Sequence, residues 1–315
     1  MKTLVYHSGA LGDFLSIFPL LKIWRENTKS HITLLGRSEY GALAQMSGLT
    51  DNILDIDSKE NMAFFSETEQ EKTKTLFNGY SHCILFAKND SPLVTNAKKY
   101  CKGRALSQDP FPSSEIHVVD YHYQLIKEYV TLHNSAPIVP FLKVLKKTDE
   151  FTPGAIVIHP GSGSKRKNWA FSSFLYVAEK IRSRGFQIVW ITGPAEERFT
   201  FPVCDTVYNN RQLSDLVNLF SQSALYIGND SGVTHLAAAS GCSVIAIFGP
   251  SDPTVWSPKG EKQVTVVYKK TSCSPCHLRC SSQTVNCKSE CLMQIKKEDV
   301  SDIVEDLLGQ IPHFE

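Results

Sequence analysis

Ala155-Ile156-Val157-Ile158-His159-Pro160-Gly161-Ser162-Gly163-Ser164-Lys165-Arg166-Lys167-Asn168-Trp169-Ala170-Phe171 runs from an apolar segment, through a turn of small residues and cations, into an aromatic helix start. The segment Ala155 to His159 is continuous and β-branched, the pattern of a strand buried on both faces in a parallel sheet. From Phe171 to Arg184 the apolar residues recur at helical spacing, and Gly185 supplies the left-handed cap that ends such a helix. Strand, loop and helix in direct succession make one βα unit.

The same unit repeats in both directions. Toward the C-terminus come a strand at Gln187 to Thr192, a short helix at Leu216 to Ser221 with Ser214 as its N-cap, and a strand at Ala224 to Gly228. A helix at Thr234 to Ser240, a strand at Ser243 to Phe248 and a helical tail from Glu298 to Leu308 follow. Toward the N-terminus, the polar stretch Lys146 to Gly154 reads as a linker. Before it lie a strand at Leu4 to His7, a helix at Phe14 to Trp24, a strand at Ile32 to Leu35, a helix at Tyr40 to Met46, and strands at Asn52 to Ile56 and Cys83 to Ala87. Two α/β domains are expected, 1–152 and 153–315, as a chain of 315 residues allows. Open parallel sheets bind ligands at the C-terminal ends of their strands, so the loops there are the candidate site.

Charge excludes one class of partner. With 33 basic against 32 acidic residues the net charge is +1, and no global basic field supports nucleic-acid binding. No window approaches the roughly 18 apolar residues of a membrane-spanning helix, so any membrane contact is expected to be peripheral. Met1 to Tyr6 runs straight into a strand pattern with no signal-peptide features, and nine cysteines are an odd number; both favour a cytoplasmic protein with reduced thiols.

Four loops carry chemistry. Ser8-Gly9-Ala10-Leu11-Gly12-Asp13 joins the first strand to the first helix, where glycines allow close backbone approach and Asp13 either caps the helix or reaches a ligand. In the opening stretch, Gly161 to Ser164 offer N–H and hydroxyl donors and Lys165, Arg166 and Lys167 offer charge, which together suit a pyrophosphate. Gly228-Asn229-Asp230-Ser231-Gly232-Val233-Thr234-His235 places Ser231 and Gly232 N–H groups at a helix start, with Asp230 and His235 beside them. Phe248 to Pro258 is a stiff turn rich in proline and glycine, in which Trp256 reads as structural.

Taken together and in this order, the loops resemble glycosyltransferase family 9, the heptosyltransferases. The matching features are Gly9 to Asp13, Pro19 in the next helix, His159 to Trp169, Asp230 to Ala238, and Phe248 to Pro258. Nothing matches between about residues 58 and 145, and His7 stands where the family often has Lys or Arg, a position where a nearby phosphate would favour a cationic ring. The resemblance implies a GT-B fold, two Rossmann-like domains facing across a cleft, the first binding acceptor and the second donor. It implies metal-independent, inverting transfer of heptose from ADP-heptose to the lipopolysaccharide inner core at the cytoplasmic face of the inner membrane, with no cofactor. By position, Asp13 matches the catalytic base. Ser162, Gly163, Lys167, Asp230, Ser231, Gly232 and His235 match the donor site, and His7, Gly9 and Gly12 the acceptor side. A nucleotide-sugar 2-epimerase, a GT-B transferase with another donor sugar, or a non-catalytic nucleotide-sugar binder would share the architecture. The Gly9 to Asp13 loop favours transfer.

Cys273, Cys276, Cys280, Cys287 and Cys291 follow a spacing that could hold tetrahedral zinc, although packed reduced thiols or adventitious disulfides are the preferred reading and no metal is assigned.

Overall fold

The computed structural model describes residues 1–68, 71–113, 115–132, 138–143, 153–193, 196, 199–209, 212–276 and 289–310. The chain divides into two compact units, Met1–Lys143 and Val144–Glu315. Most of the expected linker, 146–152, lies outside the described residues.

Unit 1 is built on five strands, β1 (Lys2–Tyr6), β2 (His31–Gly36), β3 (Asn52–Asp55), β4 (His82–Phe86) and β5 (Arg104–Gln108), in the order β3-β2-β1-β4-β5. Every pairing is parallel, with Thr3 opposite both Ile32 and His82. Around them run α1 (Leu11–Leu15), α2 (Phe18–Thr28), α3 (Ser38–Met46), α4 (Glu71–Asn78), α5 (Pro92–Tyr100) and α6 (Val118–Gln124). The central strands are buried because helices cover both faces, which is why Leu4, Val5, Ile32, Leu34, Ile84 and Leu85 form continuous apolar runs. The expected single helix from Phe14 to Trp24 is in fact two, α1 and α2. Pro19 is the cause: it has no N–H to give to the carbonyl one turn back, so it serves the start of a new helix instead.

Unit 2 has six strands, β6 (Ile156–His159), β7 (Ile188–Thr192), β8 (Thr206–Asn209), β9 (Leu225–Asn229), β10 (Ser243–Phe248) and β11 (Val264–Tyr268), ordered β11-β10-β9-β6-β7-β8 and all parallel. Its helices are α7 (Phe171–Ser183), α8 (Leu213–Gln222), α9 (Gly232–Ala239), α10 (Pro253–Trp256), α11 (Glu290–Met293) and α12 (Lys297–Leu308). Phe174, Val177, Ala178 and Ile181 form the buried stripe of α7 and join Val300, Val304 and Leu308 of α12 in the core. Gly185 ends α7 at φ +84, the left-handed conformation expected there. Two helices start earlier than their apolar pattern indicates: α8 begins at Leu213 with Ser214 inside it, and α9 begins at Gly232 because the Ser231 side chain caps it.

Both sheets reverse direction at their first strand. In unit 1 the chain winds β1 to β3 one way and β4 to β5 the other, so the switch point lies between β1 and β4; in unit 2 it lies between β6 and β9. Ligands of open α/β sheets bind outside the strand ends at this point. Three of the four candidate loops leave β1, β6 and β9.

Candidate active site

In unit 2 the loops after β6 and β9 are tied together by side chains. Lys167, at the end of a single helical turn from Lys165, donates from Nζ to Asp230 Oδ2 at 2.7 Å. Its side chain is about a third exposed, that of Asp230 only 6%. Beside this pair, Asn229 is fully buried and acts as a clamp: its Nδ2 donates to Pro160 O at 2.8 Å, and its Oδ1 accepts from the Trp169 N–H at 2.9 Å. One side chain thus fixes both ends of the His159 to Trp169 loop. The Trp169 indole N–H donates to Ile295 O at 3.0 Å within the core, which fixes the loop's exit.

Ser231 begins α9, its hydroxyl accepting from the Thr234 N–H at 3.3 Å and meeting Thr234 Oγ1 at 3.0 Å. Thr234 in turn donates to Asn229 O and contacts Tyr226 Oη at 3.2 Å, which lies 3.4 Å from His159 Nδ1. Burial alone holds the His159 ring down at about 4, so it is neutral, and it pushes the Tyr226 phenol up. Gly228 is required here, since a Cβ would lie 2.4 Å from Tyr226 Oη. Gly232 is the first residue of α9, and His235 lies half-buried on its first turn. Ser162 Oγ reaches Asn168 Oδ1 at 2.5 Å and Ser164 O at 2.8 Å, giving the cationic turn its shape.

A third loop adds a residue that the sequence reading missed. Glu196, after β7, is 3% exposed; its Oε2 accepts from the Gly193 N–H at 2.8 Å. Its other oxygen packs against Gly161, where a Cβ would come within 1.8 Å. The only signal for it was position, as an acidic residue following a strand of the same sheet.

In unit 1 the loop after β1 is held locally. Asp13 lies in the first turn of α1 and accepts from the Ala10 N–H at 3.2 Å; Gly12 O accepts from the Ser16 N–H at 3.2 Å. Gly9 donates to His7 Nδ1 at 3.2 Å, and a Cβ on Gly9 would sit 2.7 Å from that ring and 2.9 Å from Asp13 Cβ, so the close approach demands glycine. Without a phosphate beside it, His7 is held neutral by the fold. Its ring is 2% exposed among Phe14, Phe86 and His122, and burial, with His122 adding to it, depresses its pKa to about 3. Because Nδ1 accepts from Gly9, the ring proton is on Nε2, which has no hydrogen-bond partner among the described residues.

The stiff turn after β10 leads into α10, whose first turn is capped by Asp252 Oδ1 accepting from the Thr254 N–H at 2.9 Å. Trp256 is half-buried at its end. Of the cysteine cluster, Cys273 is exposed, Cys276 half-buried and Cys291 buried, whereas Cys280 and Cys287 lie outside the described residues. Among the described residues no group of three or more His, Cys, Asp or Glu is placed to hold a metal ion.

The sequence profile of glycosyltransferase family 9 (heptosyltransferase) matches residues 114–285, more than half of the chain. The chain belongs to glycosyltransferase family 9. The family match takes in the loops after β6, β9 and β10 and leaves out the Gly9 to Asp13 loop. A lipooligosaccharide heptosyltransferase 2 of Campylobacter jejuni is 26% identical over 202 residues, which are 59% of this chain and 58% of that protein; the chain therefore spans less than two thirds of that relative's length. Among solved structures, a family 9 glycosyl transferase from Veillonella parvula superposes with a TM-score of 0.79 at 18% identity, covering 98% of each chain. The Escherichia coli heptosyltransferase WaaC with ADP gives 0.69 at 14% identity, covering 98% of this chain and 100% of that one. These likenesses place both units in the GT-B fold of the family's solved heptosyltransferases.

Proposed function

We propose that the protein is an inverting, metal-independent heptosyltransferase that moves heptose from ADP-heptose to the inner core of lipopolysaccharide. The observation that carries this reading is the Lys167 and Asp230 pair beside the capped start of α9, at the switch point of the unit 2 sheet. There a lysine, main-chain N–H groups and a helix N-terminus are held together in a way that suits a diphosphate. Family membership and the names of the relatives support heptose as the sugar, and the solved relative with ADP supports an adenosine diphosphate leaving group.

In this reading residues 153–315 bind the donor through Ser162, Gly163, Lys167, Asp230, Ser231, Gly232 and His235. Residues 1–152 bind the acceptor, with Gly9 and Gly12 shaping the loop and His7 supporting it from beneath as a neutral ring. Asp13 takes the proton of the acceptor hydroxyl as it attacks the anomeric carbon, because a hydroxyl is too weak an acid to react unaided. The bond to the diphosphate breaks, and Lys167 and the N–H groups of Ser231 and Gly232 offset the charge that develops on ADP. No Asp-x-Asp pair stands on a donor loop, and these groups replace a divalent ion. Among the described residues no helix is long and apolar enough to cross a membrane, and the reading places the enzyme in the cytoplasm at the inner face of the inner membrane.

Mass spectrometry of core-truncated, deep-rough lipopolysaccharide incubated with the protein and ADP-heptose tests the activity; the expected result is addition of one heptose. Retained activity in excess chelator is expected. Loss in chelator with recovery on magnesium or manganese would overturn metal independence, and no mass gain with ADP-heptose would overturn the donor.

A further inference from the structure

His122 lies on α6, in the stretch for which the sequence offered no reading, and is completely buried. Its ring packs against Phe86 at the end of β4, with centroids 4.7 Å apart, and both its nitrogens are engaged. Nε2 faces Pro110 O at 3.1 Å, and Nδ1 faces Ser16 Oγ at 3.0 Å. Ser16, 3% exposed, donates in turn to Asp13 O at 2.5 Å. A continuous chain of contacts thus runs from the loop after β5, through α6, to the main chain of Asp13.

Proton counting fixes how the chain works. Pro110 O can only accept, so the His122 proton is on Nε2 and Nδ1 is bare. Burial holds this ring neutral, with a pKa lowered to about 4. The single Ser16 proton is therefore shared between Nδ1 and Asp13 O, and the Ser16 rotamer is set by a residue more than a hundred positions away in sequence. α1 is only five residues long, too short to hold its own geometry, so what fastens its last turn also decides where the Asp13 carboxylate points.

We propose that His122, acting through Ser16, is a positioning residue for Asp13. The proposal rests on the reading of Asp13 as the base. Misplacing a reacting group by about 1 Å costs on the order of 10²-fold in rate, so a residue outside the reacting groups can control kcat.

The test is steady-state kinetics of the full chain with ADP-heptose and deep-rough lipopolysaccharide, with donor affinity measured by calorimetry. An asparagine amide reaches the place of Nδ1 and keeps the Ser16 contact, whereas glutamine reaches the place of Nε2 and keeps only Pro110. His122→Gln is expected to lower kcat by about 10- to 10²-fold with donor affinity unchanged, and His122→Asn to restore most of the rate. Ser16→Ala, a smaller change that keeps the fold if His122→Gln does not, is expected to match His122→Gln; the two together are expected to be no worse than either. In an Asp13→Asn background, His122→Gln is expected to cost nothing more. A further loss in that background, equal losses for Gln and Asn, or a silent Ser16→Ala would each overturn the positioning role while leaving the base reading intact. A silent Asp13→Asn would overturn both.

Discussion

The loop after β6 and the loop after β1 occupy equivalent places, each at the switch point of its own sheet, yet they are stabilised differently. In unit 2 the loops hold one another: Lys167 pairs with Asp230 of the neighbouring loop, and Asn229 clamps Pro160 and Trp169. In unit 1 the loop is propped from beneath by neutral rings, His7 under Gly9 and His122 behind Ser16. A site whose charges already have partners suits a ligand that brings two negative charges and must leave again. A site propped by buried, uncharged rings suits a single carboxylate that must stay in one place.

The largest effect that could break this comparison is at Asp13. Asparagine retains the contact with the Ala10 N–H but cannot take a proton, so Asp13→Asn is expected to lower kcat by about 10²- to 10⁴-fold. Melting temperature and ADP affinity are expected to stay near wild type, because the asparagine Oδ1 can still accept from the Ala10 N–H at the start of α1. Steady-state kinetics paired with calorimetry reads both. Activity near wild type would assign Asp13 to capping alone.

Acid stability comes next. His7, at about 3, and His122, at about 4, lie in unit 1; His159, at about 4, lies in unit 2. Each is below the ordinary imidazole value of 6.5, so between those values the unfolded chain binds protons that the folded chain refuses. Stability is therefore lost as pH falls from about 6.5 toward 4, at a slope of up to about 1.4 kcal/mol per pH unit for each ring. Burial, with Arg104 adding to it, also lowers His82 in unit 1, so with three such rings against one, unit 1 is expected to weaken faster from this source. Hydrogen exchange at pH 7, 6 and 5, corrected for intrinsic rates, resolves the units, and equal weakening would remove the contrast. His122→Asn is expected to flatten the slope of unit 1.

The central strands of both units were readable as apolar runs, because a parallel strand covered on both faces has no polar side. The edge strands β5 and β8 were not placed: Arg104, Thr206 and Asn209 face solvent, and half-exposed edges lack a continuous apolar run. β11 was not placed either, although Val264 to Tyr268 is a β-branched run. At the site, the cations and glycines of the β6 and β9 loops carried enough chemistry to be picked out one by one. That Lys167 would meet Asp230 was not readable, since the pairing follows from β6 lying beside β9. Asn229, Glu196 and His122 were missed for a related reason. Each works by contact with main chain far away in sequence, and local pattern does not encode such contacts.

Lys167 sharpens the comparison further. On the proposed reading, Lys167→Ala removes a charge-assisted contact to the donor, and a loss of about 1.5 to 3 kcal/mol in ADP affinity is expected. It also leaves the Asp230 carboxylate buried without its partner, at a cost to folding of about 1 to 3 kcal/mol. Adding Asp230→Asn is expected to restore stability, read by urea unfolding, without restoring ADP binding. Recovery of binding in the double variant would show that Lys167 serves only to neutralise Asp230.

The smallest expected change separates two glycines of one loop. Nothing lies within 4 Å of a Cβ built on Gly163, and its backbone is not in the left-handed region, so nothing in the fold demands glycine there. Gly163→Ala is expected to leave stability within about 1 kcal/mol of wild type, and on the positive side if the unfolded chain loses freedom. If the donor diphosphate passes over this main chain, the added methyl occupies the space it uses, and ADP affinity is expected to fall while the melting temperature does not. Gly161→Ala is the control: its methyl would meet the buried Glu196 carboxylate, so stability and affinity are expected to fall together. Unchanged ADP affinity in Gly163→Ala would remove Gly163 from the donor site and leave Lys167 and the start of α9 to hold the diphosphate.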